Sequence, residues 1–298
     1  MDVKLARVIG WLQRNLAGEV DMQESTIAAI AEDVKQALRK QFIGNGERSR
    51  TFNVRPSNAG KPRCQLQMEK AGADAVPPDY NFLMRMTLGD LVEAVLKGII
   101  QEAGVPGYQG TERVTAKIGA NEVSGELDMT FDGRPDDVKS TSDWAFRNKF
   151  VSWSTLKHAD SFGYVSQLHI YAKGKDEMPG GIWAVNISTG QINRIECDDS
   201  AEEHDRVLCE VAETIKVLGD PAAPFQRCFD DEPETFNKAE TGNRRLGNEC
   251  SWCRFRFACW PGLQERESVW SKAKNKPMVA YTQLNNQPEE DSPYGKVL

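Results

Sequence analysis

The sequence predicts a mixed α/β fold with a central sheet flanked by helices, and three observations predict it. Apolar residues recur at helical spacing over residues 4–16, 24–42 and 86–103. Three strand-like runs follow, 113–118, 122–131 and 136–141, the last two joined by Asp132-Gly133, a two-residue hairpin signal. A further helix, a second hairpin at 181–187 and 191–196, and a helix over 201–218 complete an order in which strands and helices share one core.

Each element has a local reason. Leu5, Val8, Ile9, Leu12 and Leu16 stripe the first helix, and Ile27, Ile30, Val34 and Leu38 the second. Gly44, Asn45 and Gly46 stop that run, and 46–63, with Pro56, Gly60 and Pro62, reads as irregular loop. A short helix is expected from Cys64 to Lys70. Leu88, Leu91, Val92, Val95 and Ile99 give the helix over 86–103 one apolar side. A single helix is expected over 155–173. From Asp220 onward Pro, Gly and charge dominate, and 272–298 shows no apolar pattern, so a loosely ordered tail is expected. The expected organisation is an N-terminal helical and basic segment (1–54), a core (55–262) and that tail (263–298).

Composition excludes several classes. With 40% hydrophobic residues in 298, the chain can bury a sizeable core without staples. No window approaches the length of an apolar membrane span, and Met1-Asp2-Val3-Lys4-Leu5 lacks a signal-peptide layout, so a cytoplasmic protein without membrane partners is expected. Seven cysteines in a reducing compartment are read as core thiols or metal ligands rather than disulfides. A net charge of −7 argues against bulk attraction to nucleic acid. Yet Lys35, Arg39, Lys40, Arg48, Arg50, Arg55, Lys61 and Arg63 face a single acid, Glu47, a local patch suited either to a polyanion or to a solvated helix and loop.

The hairpin at 122–141 carries the chemistry. Asp128 and Asp137 on neighbouring strands can converge, and paired carboxylates make a hard-oxygen site for Mg²⁺ or Mn²⁺. Lys139, two residues beyond Asp137, emerges on the same face and can orient a water or stabilise charge on a phosphate. A slip of one residue would bring Asp136 into play and turn it to the opposite face. Glu93 sits at the margin of its helix's apolar side beside Leu96 and Ile100, where a buried acid needs a partner or a metal. Gln167 and Tyr171, at i and i+4, share one helix face and could grip a phosphate or base. Trp144, Phe146, Phe150 and Trp153 suit either base stacking or a core segment.

Together Gly89 with Glu93, Asp128, Asp137-Val138-Lys139, and Gln167 with Tyr171 resemble the PD-(D/E)XK nuclease superfamily, and within it the RecB-like branch, in that family's order. Glu93 stands where many relatives have His, and Asp137 where Glu is commoner. The resemblance implies a restriction-endonuclease-like core. It further implies metal ions held by Asp128, Asp137, the Val138 carbonyl and Glu93, catalysis by Lys139, and strand positioning by Gln167 and Tyr171.

The cysteines point the same way. Cys250, Cys253 and Cys259 form a CxxCxxxxxC run flanked by Arg254, Phe255, Arg256, Phe257 and Trp260, spacing that suggests metal binding and requires a fourth ligand. Cys64, Cys228, Cys197 and Cys209 are the candidates; the last two sit in strand-like and helical runs and read as core thiols. The run resembles the iron–sulfur nucleases of the RecB-like branch, which include the AddB nuclease domain and the CRISPR-adaptation nucleases. It implies Cys64 as the upstream ligand of a 4Fe–4S cluster, with Cys228 as the rival and zinc as the alternative metal. Such a cluster would staple distant segments, and closing so long a loop contributes roughly several kcal/mol. It would also hold the basic stretch and the Arg254/Arg256 pair against the core.

The expected function is a metal-dependent DNA exonuclease acting on single strands or duplex ends in phage or mobile-element recombination, beside a single-strand-annealing protein. The alternatives are a CRISPR-adaptation nuclease beside an integrase, and a non-catalytic DNA-binding module that kept the stapled scaffold.

Overall fold

The computed structural model describes residues 2–43 and 52–285. Helices α1 (Val3–Leu16) and α2 (Glu24–Phe42) open the chain, followed by α3 (Pro56–Ala59), α4 (Arg63–Lys70) and the long α5 (Tyr80–Glu102). Strands β1 (Tyr108–Gln109), β2 (Glu112–Ile118), β3 (Asn121–Leu127), β4 (Met129–Phe131) and β5 (Arg134–Thr141) come next. Helices α6 (Asp143–Asn148), α7 (Trp153–Ala159) and α8 (Tyr164–Lys175) lead to β6 (Gly181–Asn186), β7 (Ile192–Glu196) and α9 (Ala201–Gly219). The remainder is β8 (Asp231–Phe236), β9 (Ala239–Leu246), α10 (Asn248–Ser251), α11 (Arg256–Cys259), β10 (Gln264–Glu267) and β11 (Met278–Gln283). Among these residues no helix is long and apolar enough to cross a membrane.

The chain forms two compact units, Met1–Lys61 with Pro78–Ala223, and Pro62–Pro77 with Pro224–Leu298. These boundaries differ from a partition at 54 and 262. Helix α1 is part of the first unit's core, α2 packs on α5 with Ile30 against Gly98, and the second unit is assembled from two separated stretches.

In the first unit a mixed five-stranded sheet runs in the order β1-β4-β5-β6-β7, with β5 and β6 parallel and the other pairs antiparallel. Period-two alternation splits β6 between two cores. Trp183 joins Leu5, Val8 and Trp11 of α1 and Leu96 and Ile100 of α5 on one side, while Ile182 and Ala184 join Trp153, Leu156 and Leu168 on the other. Helices therefore cover both faces. Helix α5 begins six residues before the expected 86 because Asp79 caps it, accepting the Phe82 N–H at 2.9 Å. The stretch expected as one helix over 155–173 is broken: α7 ends at Ala159, and α8 starts after Gly163, which adopts φ +83°. Asp160 shapes that break by accepting the N–H groups of Phe162, Gly163 and Val165.

Strands β2 and β3 form a separate antiparallel pair, and β3 runs on into β4 through Asp128. A strand thus passes from one sheet to another at that residue.

In the second unit β10-β11-β9-β8 form an antiparallel sheet. The expected loosely ordered tail is corrected here: Gln264–Glu267 and Met278–Gln283 are paired strands. Ala280 and Tyr281 are buried, and the Tyr281 hydroxyl donates to the buried Glu234 carboxylate at 2.7 Å, which also accepts from Asn243 and Thr241. A polar network rather than an apolar stripe holds this segment, so hydropathy gives little sign of it. Residues 286–298 of that tail, and Arg48, Arg50 and Glu47 of the basic stretch, lie outside the described residues.

Candidate active site

The candidate site lies in the first unit, where β4 and β5 part. Their last paired positions toward the site are Met129 and Asp136, so continuing the register sets Asp128 opposite Asp137. Beyond that point β3 turns away into its own sheet, and Val138 has no strand partner on that side. Its N–H donates to Asp128 Oδ2 at 2.8 Å, an arrangement that fixes one carboxylate against the other's strand.

Asp137 is buried. Its Oδ1 accepts from Gln167 Nε2 at 3.1 Å, and its Oδ2 lies 2.6 Å from Lys139 Nζ. That last contact is a short charge-assisted pair, and a carboxylate oxygen takes more than one partner, so Oδ2 keeps acceptor capacity. Lys139 also stands 4.7 Å from the Tyr164 ring centroid, a cation–π contact. Glu93, half-buried on α5, accepts from Lys97 Nζ at 2.9 Å, one turn along the same helix.

The charges of three acids act on one another here. Burial, then the charge of Asp137, pushes the Asp128 carboxyl up to about 7. Burial likewise raises Asp137, against the pull of Lys139, and raises Glu93, with Asp128 adding to it. Burial opposes the Lys139 charge, but the Asp137 and Asp128 carboxylates outweigh it and hold the ammonium well above its ordinary value. An all-oxygen set with a buried acceptor to spare fits a hard divalent cation such as Mg²⁺ or Mn²⁺, whose charge would relieve the crowding.

The structure therefore brings Glu93, Asp128, Asp137, Lys139 and Gln167 together, with the Val138 peptide between them. Tyr171 takes a different place from the one expected. It is buried, and its hydroxyl donates to the Glu126 carbonyl at 2.5 Å, so it braces β3 instead of reaching toward a phosphate. Gly125 makes this possible: a Cβ there would come within 2.9 Å of both the Tyr171 hydroxyl and Pro56. Asp136 faces the other way, accepting from Trp183 Nε1 at 2.9 Å and Arg194 Nε at 2.7 Å. Phe150 and Trp153 belong to the core, Phe146 packs against it, and Trp144 is 63% exposed.

Sequence reasoning missed a buried network behind α8. His169 Nε2 meets Asp199 Oδ2 at 3.1 Å, its Nδ1 meets His204 Nδ1 at 2.7 Å, and Lys157 pairs with Asp199 at 2.5 Å. His169, Cys197 and Asp199 offer ligand atoms within 4.8 Å of one another. Lys157 and His169 already occupy the Asp199 carboxylate. The spacing that could have signalled this network is His169 between Gln167 and Tyr171, on the opposite side of their helix.

In the second unit Cys64, Cys250, Cys253 and Cys259 line one small cavity with Phe255 and Trp260. Cys228 sits beside it, its Sγ accepting the Cys64 N–H at 3.1 Å. Burial raises the Cys250 thiol to about 11 and also raises Cys253, with neighbouring thiols adding to both. Four cysteines lining one cavity are a donor set of the chemistry that suits iron–sulfur or zinc. Cys197 is buried in the first unit, whereas Cys209 is exposed on α9 and is not a core thiol.

No protein-family model matches the chain, and no curated protein matches it. Among solved structures it is similar to one described as "Crystal structure of SSO0001", at 12% identity and a TM-score of 0.40, over 80% of this chain and 98% of that one.

Proposed function

We propose that the chain is a metal-dependent deoxyribonuclease with a restriction-endonuclease-like core of the RecB-like kind, acting as an exonuclease on single strands or duplex ends. The observation that carries the reading is the set at the parting of β4 and β5: Asp128 and Asp137 opposed, with Lys139 2.6 Å from the second carboxylate. A DNA-binding scaffold alone has no need of a buried acid held against a half-buried one, because the charge of each raises the cost of ionising the other.

Asp128, Asp137, Glu93 and the Val138 carbonyl would hold one or two Mg²⁺ or Mn²⁺ ions. Such ions supply Lewis-acid charge neutralisation at the phosphate and lower the pKa of water. Gln167 holds Asp137 in its rotamer, leaving Oδ2 turned toward Lys139. Lys139 directs its ammonium at the same space, where it orients the attacking water and stabilises charge growing on the pentavalent phosphorus. Tyr171 keeps β3, and with it Asp128, in place.

The four-thiol cavity supports a 4Fe–4S cluster on Cys64, Cys250, Cys253 and Cys259, with zinc as the alternative. A cluster there would tie the 62–77 segment to the C-terminal stretch of the second unit.

The test is digestion of end-labelled single- and double-stranded DNA in Mg²⁺ or Mn²⁺ by anaerobically purified wild type beside Asp128→Ala. Digestion by wild type alone supports the reading, and the product ladder gives polarity. Absence of digestion by both, with the cluster loaded, favours a non-catalytic DNA-binding module.

A further inference from the structure

Beside the candidate site lies a pocket of about 200 Å³, smaller than the roughly 300–1,000 Å³ of drug-sized sites and so suited to one flat ring system. Its walls come from the strand that carries the chemistry, from α6 and its C-terminal end, and from the broken helix that follows. Ser140 and Thr141 extend β5 directly from Lys139, and Lys149, Phe150, Phe162 and Tyr164 close the remaining sides.

Three features give it the character of a base-stacking site. Phe162 and Tyr164 stack on each other with centroids 5.5 Å apart and planes within 15°, yet Phe162 remains 55% exposed. An aromatic ring that is held by a stacked neighbour and still more than half exposed can offer surface to an incoming ring. Lys149 supplies a cation close to it: its Nζ lies 6.0 Å from the Phe162 ring and 5.8 Å from that of exposed Trp144, and donates to the Ala159 carbonyl at 3.2 Å. The loop is also built rather than loose. Asp160 accepts three successive-turn N–H groups, and Gly163, at φ +83°, lies so close to Gly60 that a Cβ would come within 2.6 Å of its backbone. The break in the helix thus serves to present Phe162.

The pocket joins the candidate site through Tyr164, whose ring meets Lys139 at 4.7 Å and Phe162 at 5.5 Å. We infer that the Phe162–Tyr164–Lys149 pocket receives one unpaired nucleobase from the nucleotide next to the scissile phosphate, making single-stranded DNA the preferred substrate. This rests on the nuclease reading above and deepens it. A paired base cannot enter without leaving its stack, at a cost of about a few kcal/mol. An unpaired base enters freely, and stacking on an aromatic face is indifferent to its identity.

The test measures binding of the full-length protein to single-stranded oligonucleotides with Ca²⁺ in place of Mg²⁺, an abasic site being moved one position at a time. One position is expected to weaken binding about 5- to 100-fold. Phe162→Ala should lose a similar factor on the intact strand. That variant should show no further loss at the sensitive position, and should bind a fully abasic strand as wild type does. A flat abasic scan, or a Phe162→Ala protein that binds the intact strand normally, overturns the inference. So does one that loses affinity for the fully abasic strand as well, since that marks a purely structural role. Cleavage in Mg²⁺ is recorded in parallel. Cleavage with a flat scan removes the pocket and leaves the nuclease, whereas one sensitive position without cleavage removes the nuclease and leaves the pocket.

Discussion

Asp136 and Asp137 are adjacent on β5 and face opposite sides of it. Asp136 is fully buried against Arg194, which itself also bonds Asp2, while Asp137 turns to Lys139 and Gln167. The two carboxylates therefore separate stability from chemistry. Asp136→Ala leaves a buried guanidinium with half its partners and should cost about 3–5 kcal/mol in urea unfolding. Asp137→Asn keeps size and the Gln167 contact, and should change stability far less while abolishing metal-dependent cleavage. Equal destabilisation by both substitutions would contradict this division.

Lys139→Ala removes the cation paired with Asp137 and acting on both carboxylates. Divalent-dependent DNA cleavage is expected to fall at least about 100-fold, comparable to losing one preorganised donor at a transition state. DNA binding and the circular dichroism spectrum should persist. Unchanged cleavage would exclude Lys139 from the reaction.

The raised Asp128 carboxyl gives the metal-free protein a pH dependence of defined sign. Its folded value of about 7 lies above the ordinary 3.8, so the folded state takes up a proton that the unfolded state has released. The stability from this group is complete below about pH 4 and declines as pH rises to about 7, by at most about 1.4 kcal/mol per pH unit. Asp128→Asn should flatten that decline. Because a ligand carboxylate must be ionised, Mg²⁺ affinity should rise over the same range, which metal titration by calorimetry at several pH values would show.

His169 carries the opposite sign. Burial, helped by His204, holds its imidazole down at about 4, so the unfolded chain binds a proton first as pH falls below about 6.5. Stability from this group is present above about pH 6.5 and is lost as pH drops toward 4. His169→Gln should reduce acid sensitivity in that window, as read by thermal melts between pH 4 and 7. A variant with the same acid slope would place the proton uptake elsewhere.

The site was more legible in the sequence than the periphery, for physical reasons. Asp128, Asp137 and Lys139 are separated by a hairpin whose turn, Asp132-Gly133, is locally encoded, so strand register alone predicts their meeting. Glu93 was legible as an acid at the margin of an apolar helix side, and Gln167 through its i, i+4 spacing to Tyr171. The role of Tyr171 was not, because whether a hydroxyl reaches substrate or a carbonyl depends on how closely Gly125 lets β3 approach. Strand β11 escaped notice because Tyr281 is held by Glu234, a long-range polar contact that periodicity does not register. The break at Asp160–Gly163 was hidden because the sequence on both sides keeps helical character, and one Gly at positive φ decides the geometry.

Five of the seven cysteines gather in the second unit, although a four-ligand cluster needs only four of them. Cys64 lines the cavity together with Cys250, Cys253 and Cys259, whereas Cys228 is not among its lining residues, accepts the Cys64 N–H and hydrogen-bonds the Cys64 thiol. Cys64→Ser should therefore abolish the visible absorbance of an iron–sulfur cluster and reduce bound iron to background after anaerobic purification. Cys228→Ser should retain both, with at most a shifted spectrum, because the thiol it removes bonds the backbone and side chain of a ligand and does not line the cavity. A reversed outcome would assign Cys228 as the fourth ligand, and zinc without iron in both wild type and Cys228→Ser would assign a zinc staple. Loss of the metal should also lower the unfolding temperature of the second unit, since the cluster links its two separated stretches and metal binding adds directly to folding free energy.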